Sequence, residues 1–322
     1  MPYSIKDSTV LIIGGAGTIG SHIADALVNE RPAKIKIFDN FSEGKMENLE
    51  GVFSQKFVPI EIISADIRSS EDLHSAMQGV DYVFHEASLL LLESEVKRQK
   101  AIDVNVQGTF NVFSACVKNN IKKIVWASSA SVFGDPLYLP VDEQHPYNNQ
   151  TFYGATKIMG EQMAVNFHHQ MGLKQVGLRY YNVYGPRQSI KGAYAQILPR
   201  WLDKIDEKQP IVIFGDGTQS MDMIYVKDIA RANLLALKAD VENEFFNIGT
   251  GIETTVKQLA DILIQVTGFN QQPIIEPRDI NLVKKRRCST EKSEKLIGFK
   301  SSTSVLEGVK AYIQWRQGCL KK

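Results

Sequence analysis

Val10-Leu11-Ile12-Ile13-Gly14-Gly15-Ala16-Gly17-Thr18-Ile19-Gly20 is the stretch that decides the fold. Four consecutive apolar residues read as a strand buried on both faces, as strands of a parallel sheet are. The glycines then recur as G-x-x-G-x-x-G, with an extra glycine at position 15. Such glycines permit a tight turn, let backbone N–H groups approach a phosphate, and let the following helix pack on the strand. Ile19, Ile23, Ala26 and Leu27 continue at helical spacing, so the motif lies between a buried strand and an amphipathic helix. Gly14, Gly17 and Gly20, with Thr18 and Ile19 opening the helix, are therefore expected to hold a dinucleotide pyrophosphate.

Further strands are expected at 35–39, 60–66, 80–85, 124–128 and 176–180, separated by helical stretches. Strands alternating with helices mean βαβ units, right-handed crossovers and a doubly wound parallel sheet of Rossmann type. After about Asn182 the alternation fades. A short strand at 211–214 is followed by helices around 226–239, 256–267 and 304–315. The reading is α/β, with a cofactor domain over 1–182 and a smaller α+β substrate lobe over 183–322.

Bulk properties narrow the function. Of 322 residues, 43% are apolar and 23% charged, ordinary for a globular protein. Lys+Arg 37 against Asp+Glu 36 gives +1, so no global field selects nucleic acid or an anionic membrane. Lys284-Lys285-Arg286-Arg287 is the local exception, read first as a solvated surface and second as an anion site. Cys116, Cys288 and Cys319 have neither metal-ligand spacing nor the density of a disulfide scaffold. No signal-peptide pattern and no membrane-length apolar run is present, so a cytoplasmic protein without a metal site is expected.

Asp39 ends the second strand, 19 residues after Gly20. A carboxylate there accepts hydrogen bonds from the adenosine ribose and repels a 2′-phosphate, which favours NAD over NADP. Asp66-Ile67, after the third strand, suits an adenine contact or a plain turn. Tyr153 and Lys157 lie at i and i+4, on one face of a helix. The ammonium favours the phenolate, so Tyr153 can accept the proton of a carbinol while hydride leaves the same carbon. His85 reads as a strand-end packing residue, and His168-His169 as helix surface.

Together these residues resemble the extended short-chain dehydrogenase/reductases, in the nucleotide-sugar epimerase and dehydratase branch. The resemblance runs through His85-Glu86-Ala87-Ser88, Asp103-Val104-Asn105-Val106-Gln107-Gly108-Thr109 and Ser128-Ser129-Ala130-Ser131-Val132-Phe133-Gly134. It continues through Tyr153-Gly154-Ala155-Thr156-Lys157, Arg179–Gln188, Gly215–Ser220 and Ile224-Tyr225-Val226. It implies a catalytic triad of Ser129, Tyr153 and Lys157. It also implies that Asn40, Ala87, Asn105, Ser128, Tyr180 and Val183 join the residues lining NAD. For the nucleotide-sugar substrate it implies Ser129, Ser131, Asn182, Leu198, Arg200 and Arg278. Relatives pair the helices around 106–119 and 156–171 across a dimer axis, so a homodimer is expected.

Three departures carry information. Sugar 4,6-dehydratases keep an Asp-Glu pair where this chain has Ala130 and Ser131, so elimination lacks its acid and base. Met221 stands where most relatives have an arginine for the diphosphate; losing such a charge-assisted bond costs ~1.5–3 kcal/mol. Arg278 or the 284–287 cluster could supply the missing cation, or the ligand differs. Leu89-Leu90-Leu91-Leu92 replaces residues that are often polar, for either a less polar sugar pocket or core packing. The leading expectation is a 4-epimerase that returns hydride to its 4-keto sugar. The runner-up is a 4-dehydrogenase that releases it, and a non-enzymatic NAD sensor is disfavoured by the intact triad.

Overall fold

The computed structural model describes residues 3–188, 197–277 and 285–320. Its centre is a parallel sheet of seven strands. The first six are β1 (Thr9–Ile13), β2 (Lys34–Asp39), β3 (Ile60–Ser64), β4 (Tyr82–His85), β5 (Lys123–Ser129) and β6 (Gln175–Tyr180). Spatial order is β3-β2-β1-β4-β5-β6, closed at the edge by Glu244–Ile248. Successive side chains of a strand face opposite sides of its sheet, and β1 shows the consequence. Val10 and Ile12 enter one core with Ile23, Leu27 and Phe246, while Leu11 and Ile13 enter the other with Phe113 and Trp126. An uninterrupted apolar run is thus what a strand covered by helices on both faces requires.

The edge strand Glu244–Ile248 pairs with β6, Phe246 opposite Leu178. The helix Val226–Lys238, just before it, packs on the helix Thr18–Val28. Chain that the sequence assigns to the second lobe therefore returns to the sheet that carries the glycine turn. The remainder forms its own core, in which Leu198, Trp201, Ile213, Tyr225, Leu259 and Tyr312 meet. Asn182–Tyr184 pairs in parallel with Met223–Tyr225 and joins the two halves.

The helix Phe152–Met171 begins where the Thr151 hydroxyl accepts the Gly154 N–H at 3.0 Å, and stops at Gly172 in the left-handed region. Its buried Glu161 makes a two-pronged ion pair with Arg179 of β6, at 2.8 and 2.7 Å. Ser128 and Tyr147 each donate to the same carboxylate at 2.6 Å. All of this carboxylate's acceptor capacity is met by fixed donors, which locks the helix to the sheet.

Candidate active site

The strand order reverses between β1 and β4, and in open α/β sheets the crevice beyond the strand ends at that point takes the ligand. Gly14 turns there with φ +76, and a Cβ on it would lie 2.6 Å from the Ala87 backbone nitrogen. A Cβ at Gly20 would collide with the Gly14 carbonyl oxygen. Both glycines are thus required by close backbone approach. The helix that follows has no side chain capping its N-terminus, so its first amides remain for an anion. Thr18 instead donates to the Arg187 carbonyl at 3.0 Å, and Ile19 packs between two cores.

Asp39 is buried beside this turn and accepts from the Ala16 and Phe41 amides at 2.9 and 2.8 Å. Burial raises its carboxyl above the ordinary value, and those amides pull it back. Asn40 donates to Asp66 at 2.8 Å, while Arg68 holds Asp66 through two bonds of 2.9 Å and keeps it well below the usual carboxylate range. Ile67 is buried, with its side chain filling the space that a Cβ at Gly108 would need. A carbon-free cradle, an uncapped helix start and a strand-end carboxylate fit a dinucleotide.

The catalytic candidates meet across the ends of β5 and the Phe152–Met171 helix. Lys157 donates to the Ala127 carbonyl at 2.8 Å, and its Nζ stands 5.6 Å from the centre of the Tyr153 ring. Ser129 donates to Ser131 at 3.1 Å and accepts the Ser131 amide at 3.1 Å. A Cβ at Gly154 would lie 2.6 Å from the Ser131 carbonyl, which shows how closely the tyrosine's helix abuts the serine turn. Ala130 is buried and apolar, so the turn carries no carboxyl next to Ser129.

Several predicted ligands have their side chains committed to the protein. Asn105 accepts the Leu89 amide at 2.7 Å and donates to the Leu89 carbonyl and to Thr156, tying the loop after β4 to the catalytic helix. The Ser128 hydroxyl belongs to Glu161. Leu198 is a core residue of the second lobe, and Arg200 is exposed. Val183 is partly buried between two cores. Asn182 donates to the Asp222 carbonyl through both its backbone and its side chain, each at 3.1 Å. Arg278 lies outside the described residues.

Within the leucine run only Leu89 is buried; Leu90 and Leu92 are exposed. Of the basic cluster, Lys284 lies outside the described residues, Lys285 is exposed, and Arg286 and Arg287 are half-buried, less open than the solvated surface expected. His85 contacts Thr109 at 3.2 Å, and burial lowers it to about 3, so it is a neutral packing residue as its sequence context suggests.

Two acids were missed. Glu86, beside Ala87, accepts the Tyr180 hydroxyl at 3.1 Å, and Asn233 donates to that same hydroxyl at 2.7 Å. Burial pushes Glu86 up to about 8, against the Tyr180 hydrogen bond and the nearby charge of Lys157. Glu95 accepts the Phe152 amide at 2.7 Å and the Tyr153 amide at 3.4 Å, holding the first turn of the catalytic helix. A carboxylate directly after an apolar strand was the available signal for Glu86. Nothing local marks Glu95.

The fold and the glycine-turn crevice are those of an NAD-dependent enzyme. The family described as "NAD dependent epimerase/dehydratase family" matches residues 10–249, and the chain belongs to it, in its nucleotide-sugar branch. The chain is 38% identical, over 95% of its length and 97% of the relative's, to a putative UDP-glucose 4-epimerase of Methanocaldococcus jannaschii. Among solved structures it resembles the UDP-N-acetylglucosamine 4-epimerase of Methanobrevibacter ruminantium in complex with UDP-N-acetylmuramic acid. That match has TM-score 0.91 and 33% identity, covering 98% of this chain and 99% of the other. The UDP-glucose 4-epimerase of Thermotoga maritima with UDP-glucose gives TM-score 0.89 and 31% identity, covering 97% and 99%. The cofactor is NAD. No helix among the described residues is long and apolar enough to cross a membrane.

Proposed function

We propose that the protein is a 4-epimerase of a UDP-linked sugar, acting through a transient 4-keto sugar that stays bound. The observation that carries this reading is the meeting of Tyr153, Lys157 and the Ser129 turn at the mouth of a crevice fitted for a dinucleotide. The UDP-sugar 4-epimerases among the chain's relatives and structural neighbours support it.

NAD, when bound, supplies the hydride acceptor and donor. Tyr153 accepts the proton of the C4 hydroxyl at its phenolic oxygen and returns it after the keto sugar turns over. Lys157, fixed by the Ala127 carbonyl, keeps a positive charge beside that ring. The Ser129 hydroxyl, now shared with Ser131, is the donor that orients the sugar oxygen. Asp39 sets the preference for an unphosphorylated adenosine ribose. Ala130 leaves no neighbouring carboxyl to drive elimination, which separates this site from a dehydratase's.

A substrate deuterated at C4 tests the outcome. Epimerisation returns the label to the product with no net NADH and no external oxidant. Loss of deuterium to NADH, with a free 4-keto sugar nucleotide accumulating, would establish the 4-dehydrogenase alternative. The exposed apolar residues Phe110, Met159 and Met171 on the two helices expected to pair support a homodimer. A monomer mass by light scattering at micromolar concentration would reject it.

A further inference from the structure

We infer that Arg286 binds the carboxylate of a hexuronate, so that the substrate of the epimerase reading, on which this inference rests, is a UDP-linked sugar acid. Arg286 is a half-buried cation, and among the described residues no carboxylate pairs with it. Arg287, next in the chain, also keeps a shielded Nε without a partner, whereas the other shielded arginines have carboxylates. Arg179 pairs with Glu161, Arg187 with Asp25, and Arg316 with Asp203 and Asp206. A guanidinium carries five N–H donors. Among the described residues Arg286 gives one bond, to the Gly134 carbonyl at 3.2 Å, and its buried Nε has no partner. Asp135, the residue after Gly134, is exposed and makes no ion pair with Arg286.

The hydroxyl of Tyr181 is buried and unpartnered too, and its ring packs in one core with Cys288, two residues after Arg286. The shielded Nε of this arginine and the buried Tyr181 hydroxyl, both without partners, make a site for an anionic oxygen pair. A neutral sugar hydroxyl does not offset burial of an uncompensated cation, whereas a carboxylate meets the guanidinium fork in two parallel bonds.

Position selects the sugar end of the ligand rather than its diphosphate. Gly134 closes the Ala130–Phe133 turn that starts at Ser129, so the carbonyl gripped by Arg286 belongs to the segment presenting the reacting-hydroxyl contact. The segment that carries Arg286 is itself held firmly. Cys288 donates to Asp222 from its thiol at 3.2 Å and from its amide at 3.3 Å, and Val141 bonds the Arg287 carbonyl at 2.8 Å. The guanidinium is thereby presented from a fixed backbone.

The test is titration calorimetry of the NAD-loaded protein with UDP, UDP-glucose and UDP-glucuronate. The wild type should bind UDP-glucuronate at least about tenfold more tightly than UDP-glucose. Arg286→Met should weaken UDP-glucuronate about tenfold or more, leaving UDP, UDP-glucose and NAD content within about threefold of wild type. Arg286→Lys, which keeps the charge and loses the fork, should retain part of the preference. Equal weakening of all three ligands would overturn the inference and assign the arginine to the diphosphate. An unchanged UDP-glucuronate affinity would overturn it as well, and both results leave the epimerase reading standing. Failure of the wild type to bind either sugar nucleotide would overturn the two together.

Discussion

Replacing Glu86 by Gln should change how the protein's stability depends on pH. In the folded chain burial raises this carboxyl from 4.5 to about 8. An unfolded chain releases the proton near 4.5, so between the two values the native state holds the extra proton. Stability therefore falls as pH rises through this window; the contribution is fully present below 4.5 and lost above about 8. At 1.36 kcal/mol per unit the interval corresponds to about 5 kcal/mol at most. Glu86 keeps some contact with solvent, which cuts the expected loss to about 2–3 kcal/mol. Glu86→Gln keeps an acceptor for the Tyr180 hydroxyl but has no proton to lose. The two proteins should melt within a degree of each other at pH 5. By pH 9 the variant should melt about 4–6 °C higher, since a chain of this size shifts by roughly 2 °C per kcal/mol. Scanning calorimetry at equal NAD content, from pH 5 to 9, measures the difference directly. A difference that stays flat across the series would refute the argument, because other titrating groups are common to both proteins and cancel.

Tyr153→Phe should abolish turnover while NAD stays bound, because it removes the proton acceptor and leaves the ring; a residual rate above a tenth of wild type would contradict that role. Asp39→Ala should lose NAD affinity and gain relative tolerance of NADP, read as the ratio of the two dissociation constants. An unchanged ratio would place cofactor choice elsewhere. Glu161→Gln leaves buried Arg179 without its counter-charge and should cost about 3–5 kcal/mol in denaturant unfolding. A loss under about 1 kcal/mol would mean the pair is not the lock described above.

The parts of the fold legible in sequence are those whose signal is local. The β1 run and the glycine turn are adjacent in the chain, and packing on both faces demands the apolar residues that announce it. The edge strand Glu244–Ile248 escaped because Asn247, fully buried, interrupts its apolar run. Asn247 donates to the Val141 carbonyl at 3.0 Å and through its amide to Glu143 at 2.7 Å, partners more than a hundred residues away. The same distinction divides the site. Tyr153 and Lys157 are four residues apart, so one helix face reveals them. Asn105 and Ser128 also sit in motifs that suggest ligand contacts, yet Leu89, Thr156 and Glu161 consume their side-chain bonds. A motif identifies that a polar group is needed at a position; only tertiary partners decide whether it holds the ligand or the loop beside it.

Met221 shows that scaffold and charge in the second half can be separated. The next residue, Asp222, is a hub. Its carboxylate accepts from Thr250 twice at 2.7 Å, from Gly251 at 2.9 Å and from Cys288, while its carbonyl takes Asn182. Three segments of the chain are thus pinned to one residue whatever stands at 221. The loss of an arginine there removes a cation without loosening the backbone that would position the ligand. One of the segments pinned at Asp222 leads, two residues before Cys288, to Arg286, the guanidinium that lacks a carboxylate partner among the described residues. On the proposed role of Arg286, a site that gives up positive charge at 221 and gains it at 286 grips a different part of an anionic ligand. On that reasoning Met221→Arg should restore affinity for UDP and for every UDP-sugar alike. Only Arg286 variants should change the discrimination between the neutral sugar and the acid.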